Sequence, residues 1–230
     1  MEASSRSKSF TGRPTSKTDP GAATKLRLLQ AGEQMFADVG YADTSVRDLT
    51  AEAGANLAAV NYHFGGKENL YIEVCRRALI ELRERRIAAV SEAAGRPGAT
   101  LEDVLEAFCR SFVEPFVESE RGNRLMRLWE REMIQSLLPP DTLHNEMLVP
   151  MLQLMRQVLG RFCPGTSERQ TVLWMHSMVG ILIHSLHLRR NYLDMGIPDA
   201  PLGDLDEVVD HVVKTHALAM RTFTDGEGCR

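Results

Sequence analysis

The sequence predicts an all-α protein of about nine helices, with a three-helix head at residues 21–66 and a larger helical body at residues 97–230. Three observations support this fold class. Apolar residues recur at the spacing of helix faces, no segment alternates like a half-buried strand, and beyond residue 96 prolines separate the segments. The 230 residues are 43% apolar and 25% charged, which is typical of globular domains.

The first helix of the head is predicted from an apolar face, and the second is predicted from a residue that can cap its N-terminus. The first helix stops at Gly40 and carries one apolar face, formed by Leu28, Leu29, Met35, Phe36 and Val39. Ser45, with Asp48 three residues later, is a weak capping box that opens a helix over residues 46–53.

The next two helices are separated by glycines. Gly54 ends the second helix, and Asn56 can cap a short third helix that ends at His63. A long connecting helix is then predicted over residues 67–96. In the body, three helix starts are indicated by Thr100 with Asp103, Ser167 with Gln170, and Asp204 with Glu207. The last helix carries a continuous apolar stripe from Leu205 to Met220.

Charge is distributed unevenly along the chain. Residues 1–90 have a balance of +2 and residues 91–230 a balance of −6, and the first 27 residues hold six basic against two acidic side chains. Residues 1–20 are polar and are expected to form a disordered basic arm. A basic head on an acidic body suggests that the head meets a polyanion, although a solvated tail without a partner gives the same pattern.

Several classes of protein are disfavoured. The N-terminus lacks the apolar core of a secretory signal, and the longest apolar stretch, 178–188, is too short to span a membrane. The four cysteines form no CxxC pair. We therefore expect a cytoplasmic protein without a membrane segment.

Two short helices around a glycine turn, after a longer helix, have the proportions of a helix-turn-helix unit. The apolar residues of the two short helices can complete a small core with the first helix, which leaves one face of the third helix free. Helical hairpins with glycine turns also occur in proteins that never contact DNA, so this spacing leaves both alternatives open.

Residues 28–70, LLQAGEQMFADVGYADTSVRDLTAEAGANLAAVNYHFGGKENL, resemble the N-terminal domain of the TetR family of repressors. The family pattern is matched by Phe36, Gly40, Tyr41, Thr44, Leu49, Ala53, Gly54, Tyr62, His63, Phe64, Lys67, Glu68 and Leu70. The stretch LMRLWEREM at 125–133 resembles a CecR-like ligand domain. The resemblance implies a ligand-responsive regulator, a repressor that binds a palindromic DNA operator as a homodimer and is released by a small molecule.

The resemblance also implies roles in DNA binding. Contacts to phosphate are expected from Thr44 or Ser45 and from Tyr62, His63 and Lys67. Base reading is expected from Leu57, Ala58, Ala59 and Asn61. Asn61 departs from the family, which usually has tyrosine there; an asparagine can read adenine, whereas leucine and alanine can only meet thymine methyl groups.

The dimer seam is expected in the helices at 168–193 and 204–223. Its predicted residues are His176, Gly180, Ile183, His187, Val208, Val212 and Met220. Burial in the protomer's own core is the alternative. The helix at 168–193 contains His176, His184 and His187, which could in principle bind a metal. No cysteine accompanies them and two arginines follow His187, so we expect no metal and no cofactor.

A ligand pocket is expected in the body beside two helices rich in aromatic residues and methionine. Its candidates are Phe108, Phe112, Phe116, Met126, Trp129 and Met133. Arg127, Glu130 and Arg131 are candidates for a polar anchor. Plain core is the alternative for each apolar residue. The composition indicates an apolar or amphipathic small molecule.

Two other functions are weighed against the regulator. The apolar surface around residues 57–59 keeps open a helical protein-binding module that does not bind DNA. A helical enzyme is disfavoured because the sequence contains no catalytic triad signature, HExxH motif or glycine-rich phosphate loop. We therefore expect no enzymatic activity.

Overall fold

The computed structural model describes residues 20–197 and 204–223. The helices in these ranges are α1 (Pro20–Asp38), α2 (Val46–Glu52), α3 (Ala59–Phe64), α4 (Lys67–Gly95), α5 (Leu101–Val117), α6 (Glu120–Gln135), α7 (Pro140–Leu143), α8 (Val149–Phe162), α9 (Glu168–Asp194) and α10 (Leu205–Phe223). A π-helical segment, His144–Leu148, joins α7 to α8. If this continuous run is counted once, the described part of the chain has nine helices, which confirms the all-α prediction. The expected basic arm lies outside the described residues apart from Pro20.

The head folds as the local sequence signals indicate. Ser45 caps α2 by accepting a hydrogen bond from the backbone N–H of Asp48 at 3.1 Å. The third helix begins three residues later than Asn56, because the Asn56 side chain accepts from the N–H of Ala58 at 2.9 Å and closes a turn before the helix. Gly65 ends α3 with a left-handed φ of 78°, which a residue with a Cβ adopts at a cost.

The long helix α4 joins the head to the body. It has 29 residues and therefore a length of about 43 Å. It packs on α1 and α3 in the head and on α5 and α8 in the body. One continuous strut thus runs from the head to the interior of the body.

The body surrounds α5. This helix begins at a complete capping box between Thr100 and Asp103 and packs against α4, α6, α9 and α10. At its end it meets α6 so closely that a Cβ on Gly122 would lie 2.2 Å from the carbonyl oxygen of Pro115. Only glycine fits at this crossing.

The apolar stripe of α10 lies inside the protomer. Val208, Val212 and Met220 are buried where α10 packs on α5 and α9. These three residues were predicted to form the dimer interface, and the structure corrects that assignment. Helical periodicity shows which face is buried but not which element covers it.

Helix α9 is apolar on more than its buried side. Among the described helices it is the one with the length and composition to cross a membrane, a test that core helices of soluble proteins also pass. Only 39% of its most apolar window is buried in the protomer. A substantial part of its apolar surface therefore faces outward.

Candidate DNA-binding surface and ligand cavity

The outer surface of the head is formed by the turn before α3 and by α3 itself. Leu57 is 59% exposed and Tyr62 is 84% exposed, and Ala58 and Asn61 are also exposed. Val60 points the other way and is fully buried. The structure therefore brings the predicted base-reading residues to one side of a short helix whose other side is fixed in the core.

Two further predicted residues are half-buried. These are Ala59 and His63, whose ring lies edge-on to that of Tyr62 with centroids 4.9 Å apart. Lys25 on α1 and Arg47 on α2 are exposed and add positive charge to the head. They were not predicted as contacts, because the only sequence signal for them is their charge.

Thr44 and Lys67 hold the loop between α1 and α2. The Thr44 hydroxyl is buried and donates to the carbonyl of Gly40 at 2.6 Å. The ammonium of Lys67 donates to the carbonyls of Tyr41 and Thr44, each at 2.8 Å, and lies 4.2 Å from the centre of the Tyr41 ring. This corrects the expected phosphate contact of Thr44, and it leaves Lys67 one N–H for a phosphate.

Ser45 is exposed, but its hydroxyl is already engaged. It accepts from the N–H of Asp48 and donates to the Asp48 carboxylate at 2.5 Å. The side chain therefore serves the cap of α2, and the carboxylate beside it disfavours a phosphate there.

The body contains a cavity of about 310 Å³. It lies between α4, α5, α6, the π-helical segment and α9. All six predicted ligand residues line it, namely Phe108, Phe112, Phe116, Met126, Trp129 and Met133. Most of the remaining wall is apolar, and its polar groups are few. Such a site suits a small molecule with an apolar body.

The acidic group in the cavity wall is Glu132, which the sequence analysis missed. It is buried; one carboxylate oxygen accepts from the Tyr71 hydroxyl at 2.7 Å and the other from the backbone N–H of Leu138 at 2.8 Å. Burial is the main cause that raises the pKa of Tyr71 above its ordinary range, and burial raises that of neighbouring Cys75 to about 12. The carboxylate thus has internal donors for both oxygens.

The basic group in the wall is Arg86 on α4, also missed. It is 5% exposed, and its guanidinium lies 4.2 Å from the centre of the Phe112 ring. The available signal was its position, seven residues after Leu79 and four before Val90, both buried on the same face of α4. An arginine at a position of the apolar face of α4 therefore indicates a buried cation.

The predicted polar anchors on α6 face the head instead of the cavity. Arg127 forms an ion pair with Asp38, at the end of α1. Arg131 donates to the carbonyl of Ala37 at 3.2 Å and to that of Asp38 at 3.1 Å. Both arginines therefore hold the C-terminal end of α1, where free helix carbonyls attract cations.

Glu130 also leaves the cavity. It pairs with Arg190, and its other carboxylate oxygen lies at 3.2 Å from Nδ1 of His187, where it can accept a hydrogen bond. Of the predicted interface residues on α9, His187 thus contacts α6 of its own chain, and Ile183 lines the cavity. His176 and Gly180 are exposed, although His176 also reaches the cavity wall.

Part of the outward surface of α9 and α10 is formed by apolar residues, glycine and histidine. We call it the α9–α10 face and define it by Leu173, Gly180, Ile181, His184, His211 and Leu218, all of which are exposed. A hydrogen bond of 2.8 Å between Ser177 and His216 joins the two helices. A Cβ placed on Gly180 would meet no atom of the protomer within 4 Å, so this face is open.

Comparisons with known proteins agree with this arrangement. Residues 28–74 match the family described as bacterial regulatory proteins, tetR family. Residues 101–220 match the family described as HTH-type transcriptional dual regulator CecR, C-terminal domain. The chain belongs to the TetR family of bacterial transcriptional regulators and carries a CecR-type C-terminal domain. It is a DNA-binding regulator and not an enzyme.

The chain is also similar to individual transcriptional regulators, in sequence or in fold. The chain is 23% identical to the HTH-type transcriptional dual regulator CecR of Shigella flexneri, over 72% of this chain and 77% of that protein. A transcriptional regulator from Pseudomonas aeruginosa PAO1 has the same fold, with a TM-score of 0.65, 19% identity and coverage of 90% and 97% of the two chains. A regulator from Saccharomonospora viridis, solved in complex with choline, has a TM-score of 0.60, 17% identity and coverage of 83% and 93%.

Proposed function

We propose that the protein is a homodimeric repressor that binds a palindromic operator and is released when an apolar or amphipathic small molecule enters the body cavity. The observation that carries this proposal is the position of α6. One side of α6 lines the cavity through Met126, Trp129 and Met133. Another side binds the C-terminal end of α1 through Arg127 and Arg131.

This arrangement couples the two parts of the chain. A ligand that displaces α6 from the cavity also displaces the guanidinium groups that hold Asp38 and Ala37 in α1. Because α1 packs directly on α2 and α3, the recognition surface moves with it. The ligand and the operator then favour different positions of the head, which is the requirement for allosteric release. The choline-bound neighbour supports a small-molecule site in this fold.

The homodimer rests on the α9–α10 face. Two heads must meet half-sites about 34–36 Å apart, or a multiple of that distance, so two protomers are needed. Packing of the α9–α10 face on its symmetry mate would form a four-helix bundle across a two-fold axis. Gly180 permits close approach of the partner helix, and Leu218, 65% exposed in the protomer, would become buried.

We assign base reading to the exposed side of α3. Asn61 can donate to and accept from adenine, and Leu57 and Ala58 can contact thymine methyl groups. The operator half-site therefore contains A·T pairs. Tyr62 and His63 contact the flanking phosphates, together with the remaining N–H of Lys67.

Selection of bound sequences from a random DNA pool tests the proposal directly, since it reports binding, symmetry and half-site spacing together. The expected product is a palindrome with A·T pairs in each half. Leu218→Glu should yield a folded monomer that binds the palindrome weakly, while Ile134→Glu, at an apolar residue of α6 that is 86% exposed, should stay dimeric. A dimeric Leu218→Glu protein, or selected sites without symmetry, would contradict the proposed assembly.

The coupling through α6 is tested separately. Arg131→Met should keep operator binding but reduce the release caused by a cavity ligand, because α6 then holds the end of α1 through fewer contacts. Arg156→Met, which removes an exposed arginine of α8 paired with Glu168, is the matched control. Fluorescence anisotropy of labelled operator DNA measures both quantities. Unchanged release from Arg131→Met would show that the signal takes another route.

A further inference from the structure

Arg86 is the buried cation of the cavity wall and has weak partners. One terminal nitrogen donates to the sulfur of Met147 at 3.2 Å, and the guanidinium stacks on Phe112. Its Nε is buried without a hydrogen-bond partner. Within the described ranges, no carboxylate lies within ion-pair distance of Arg86, whereas Arg76, Arg83 and many other arginines of the body have one.

A buried charge with such partners is costly. A thioether is a weak acceptor, and an aromatic face compensates only part of the lost hydration. Burial alone lowers the pKa of Arg86 to about 9, and no neighbouring carboxylate raises it. The carboxylate of the cavity wall, Glu132, already has the Tyr71 hydroxyl and a backbone N–H on its two oxygens. The interior therefore holds a cation whose best acceptor is not part of the protein.

We propose that the ligand of this cavity is an amphipathic anion whose carboxylate, sulfonate or phosphate group pairs with Arg86. This assignment deepens the proposed function, on which it rests, by naming the chemical class of the effector. The planar guanidinium lies over the Phe112 ring, and its Nε and a terminal nitrogen offer a two-pronged donor to an oxyanion. The apolar wall and the volume of about 310 Å³ accept a hydrophobic body of two fused rings or a medium-length chain.

The proposal also explains why a buried position of the cavity wall holds an arginine, Arg86, and not a hydrophobic residue. A hydrophobic side chain in place of Arg86 would avoid the desolvation of a charge, so the arginine opposes apo stability. An anion entering the cavity restores the missing interaction and strengthens it, because the surroundings have a low dielectric constant. Arg86 thus discriminates against neutral molecules of the same shape.

Two dyes with the same ring framework test the proposal. They are 1-anilinonaphthalene-8-sulfonate, which is anionic, and N-phenyl-1-naphthylamine, which lacks the sulfonate. Fluorescence titration of the full-length protein should show the sulfonate binding about 10- to 100-fold more tightly. Arg86→Met should abolish this preference and leave binding of the neutral dye nearly unchanged. Arg77→Met, which removes an exposed arginine of the same helix, should behave as wild type.

Competition with decanoate and 1-decanol extends the test to carboxylates. Decanoate should displace the neutral dye from the wild-type protein better than 1-decanol does, and this advantage should disappear in Arg86→Met. Arg86→Lys keeps the charge and should retain part of the preference, so the test stands even if Arg86→Met does not fold. Equal binding of the two dyes by the wild type, or an unchanged preference in Arg86→Met, would overturn the proposal.

These measurements need no DNA, which separates the two hypotheses. If the anionic dye binds through Arg86 but no cavity ligand releases the operator, the anion assignment stands and the proposed function fails. If neutral and anionic compounds release the operator equally well in both Arg86→Met and wild type, the regulator stands and the anion assignment fails.

Discussion

The polar side chains that support the head and the buried cation of the body have different kinds of partner. In the head, Thr44, Lys67 and Arg27 each donate to a backbone carbonyl of a neighbouring loop or helix end, no more than 26 residues away in sequence. In the body, Arg86 meets a thioether and an aromatic ring. The head therefore holds its loop carbonyls with its own side chains and binds through its exposed surface, whereas the body keeps its binding capacity inside.

The difference teaches where substitutions should act. Removal of a buried polar group from the head breaks contacts that hold loops in place, and the loss should appear in stability. Removal of Arg86 takes away a buried charge that has no carboxylate partner, and it should affect ligand choice more than folding. The following predictions test this contrast, beginning with the largest expected effect.

Val212→Glu tests whether the folded body tolerates a buried charge outside the cavity. Val212 is fully buried on the stripe of α10, away from the cavity residues. A carboxylate there would be removed from water among apolar residues, so we expect a loss of about 4 kcal/mol or more in the free energy of unfolding. Circular dichroism should show a largely unfolded protein. Leu218→Glu, on the exposed side of the same helix, should remain helical, and a Val212→Glu protein that melts like wild type would refute this assignment.

The same helix shows how far the sequence predicts the body. The stripe on α10 and its start at Asp204 were visible in the sequence, but the stripe was assigned to a partner subunit. Periodicity states that a face is buried, and the covering helix α5 lies about 100 residues earlier in the chain. The surroundings of Arg86 were unpredictable for the same reason, since Phe112 and Met147 approach from 26 and 61 residues away.

The head was predictable because its signals are local. The cap at Ser45 and the stop at Gly65 lie within the segments that they organise. The sequence did not distinguish residues on the DNA-binding surface from residues that hold a loop in place. Thr44 and Lys67 fit the family motif as well as Tyr62 does, yet only coordinates show that the first two hold a loop while Tyr62 is exposed.

Lys67→Met tests the supporting role in the head. Two charge-assisted hydrogen bonds to loop carbonyls are lost, so we expect the free energy of unfolding to fall by about 3 kcal/mol. Binding to operator and scrambled DNA should weaken together, because the loop positions α2. Lys25→Met, at an exposed lysine of α1 whose ammonium lies 5.5 Å from the centre of the Phe64 ring, should lower the free energy of unfolding much less. If Lys67→Met melts like wild type and only flattens the salt dependence of DNA binding, the residue is a phosphate contact instead.

Asn61→Ala tests the exposed side of the same head. The side chain is exposed, so the melting temperature should not change. Discrimination should fall by about 1–3 kcal/mol at one base pair in each half-site, with the salt dependence unaffected. Titrations on operator and scrambled DNA at several salt concentrations measure both effects. Equal weakening on the two DNAs would make Asn61 a backbone contact and leave base reading to Leu57, Ala58 and DNA shape.

Arg121→Gln tests the joint between head and body and has the smallest expected effect. Arg121 on α6 binds Glu33 of α1 and Glu81 of α4, and its hydrogen bond holds the pKa of Glu81 below the ordinary value of 4.5. A carboxyl group with a lowered folded pKa stabilises the fold above its unfolded pKa, and this stabilisation disappears as the pH falls through the folded value.

The groups are partly exposed, so the contribution at neutral pH should be below about 1 kcal/mol. The melting temperature of Arg121→Gln should therefore lie slightly below that of wild type at pH 7, and the gap should close as the pH falls below about 4.5. Arg156→Gln removes an exposed arginine of the body and should leave the pH profile unchanged. A gap that persists at pH 3 would mean that Arg121 acts through packing of its alkyl chain, and the joint between head and body would then not be electrostatic.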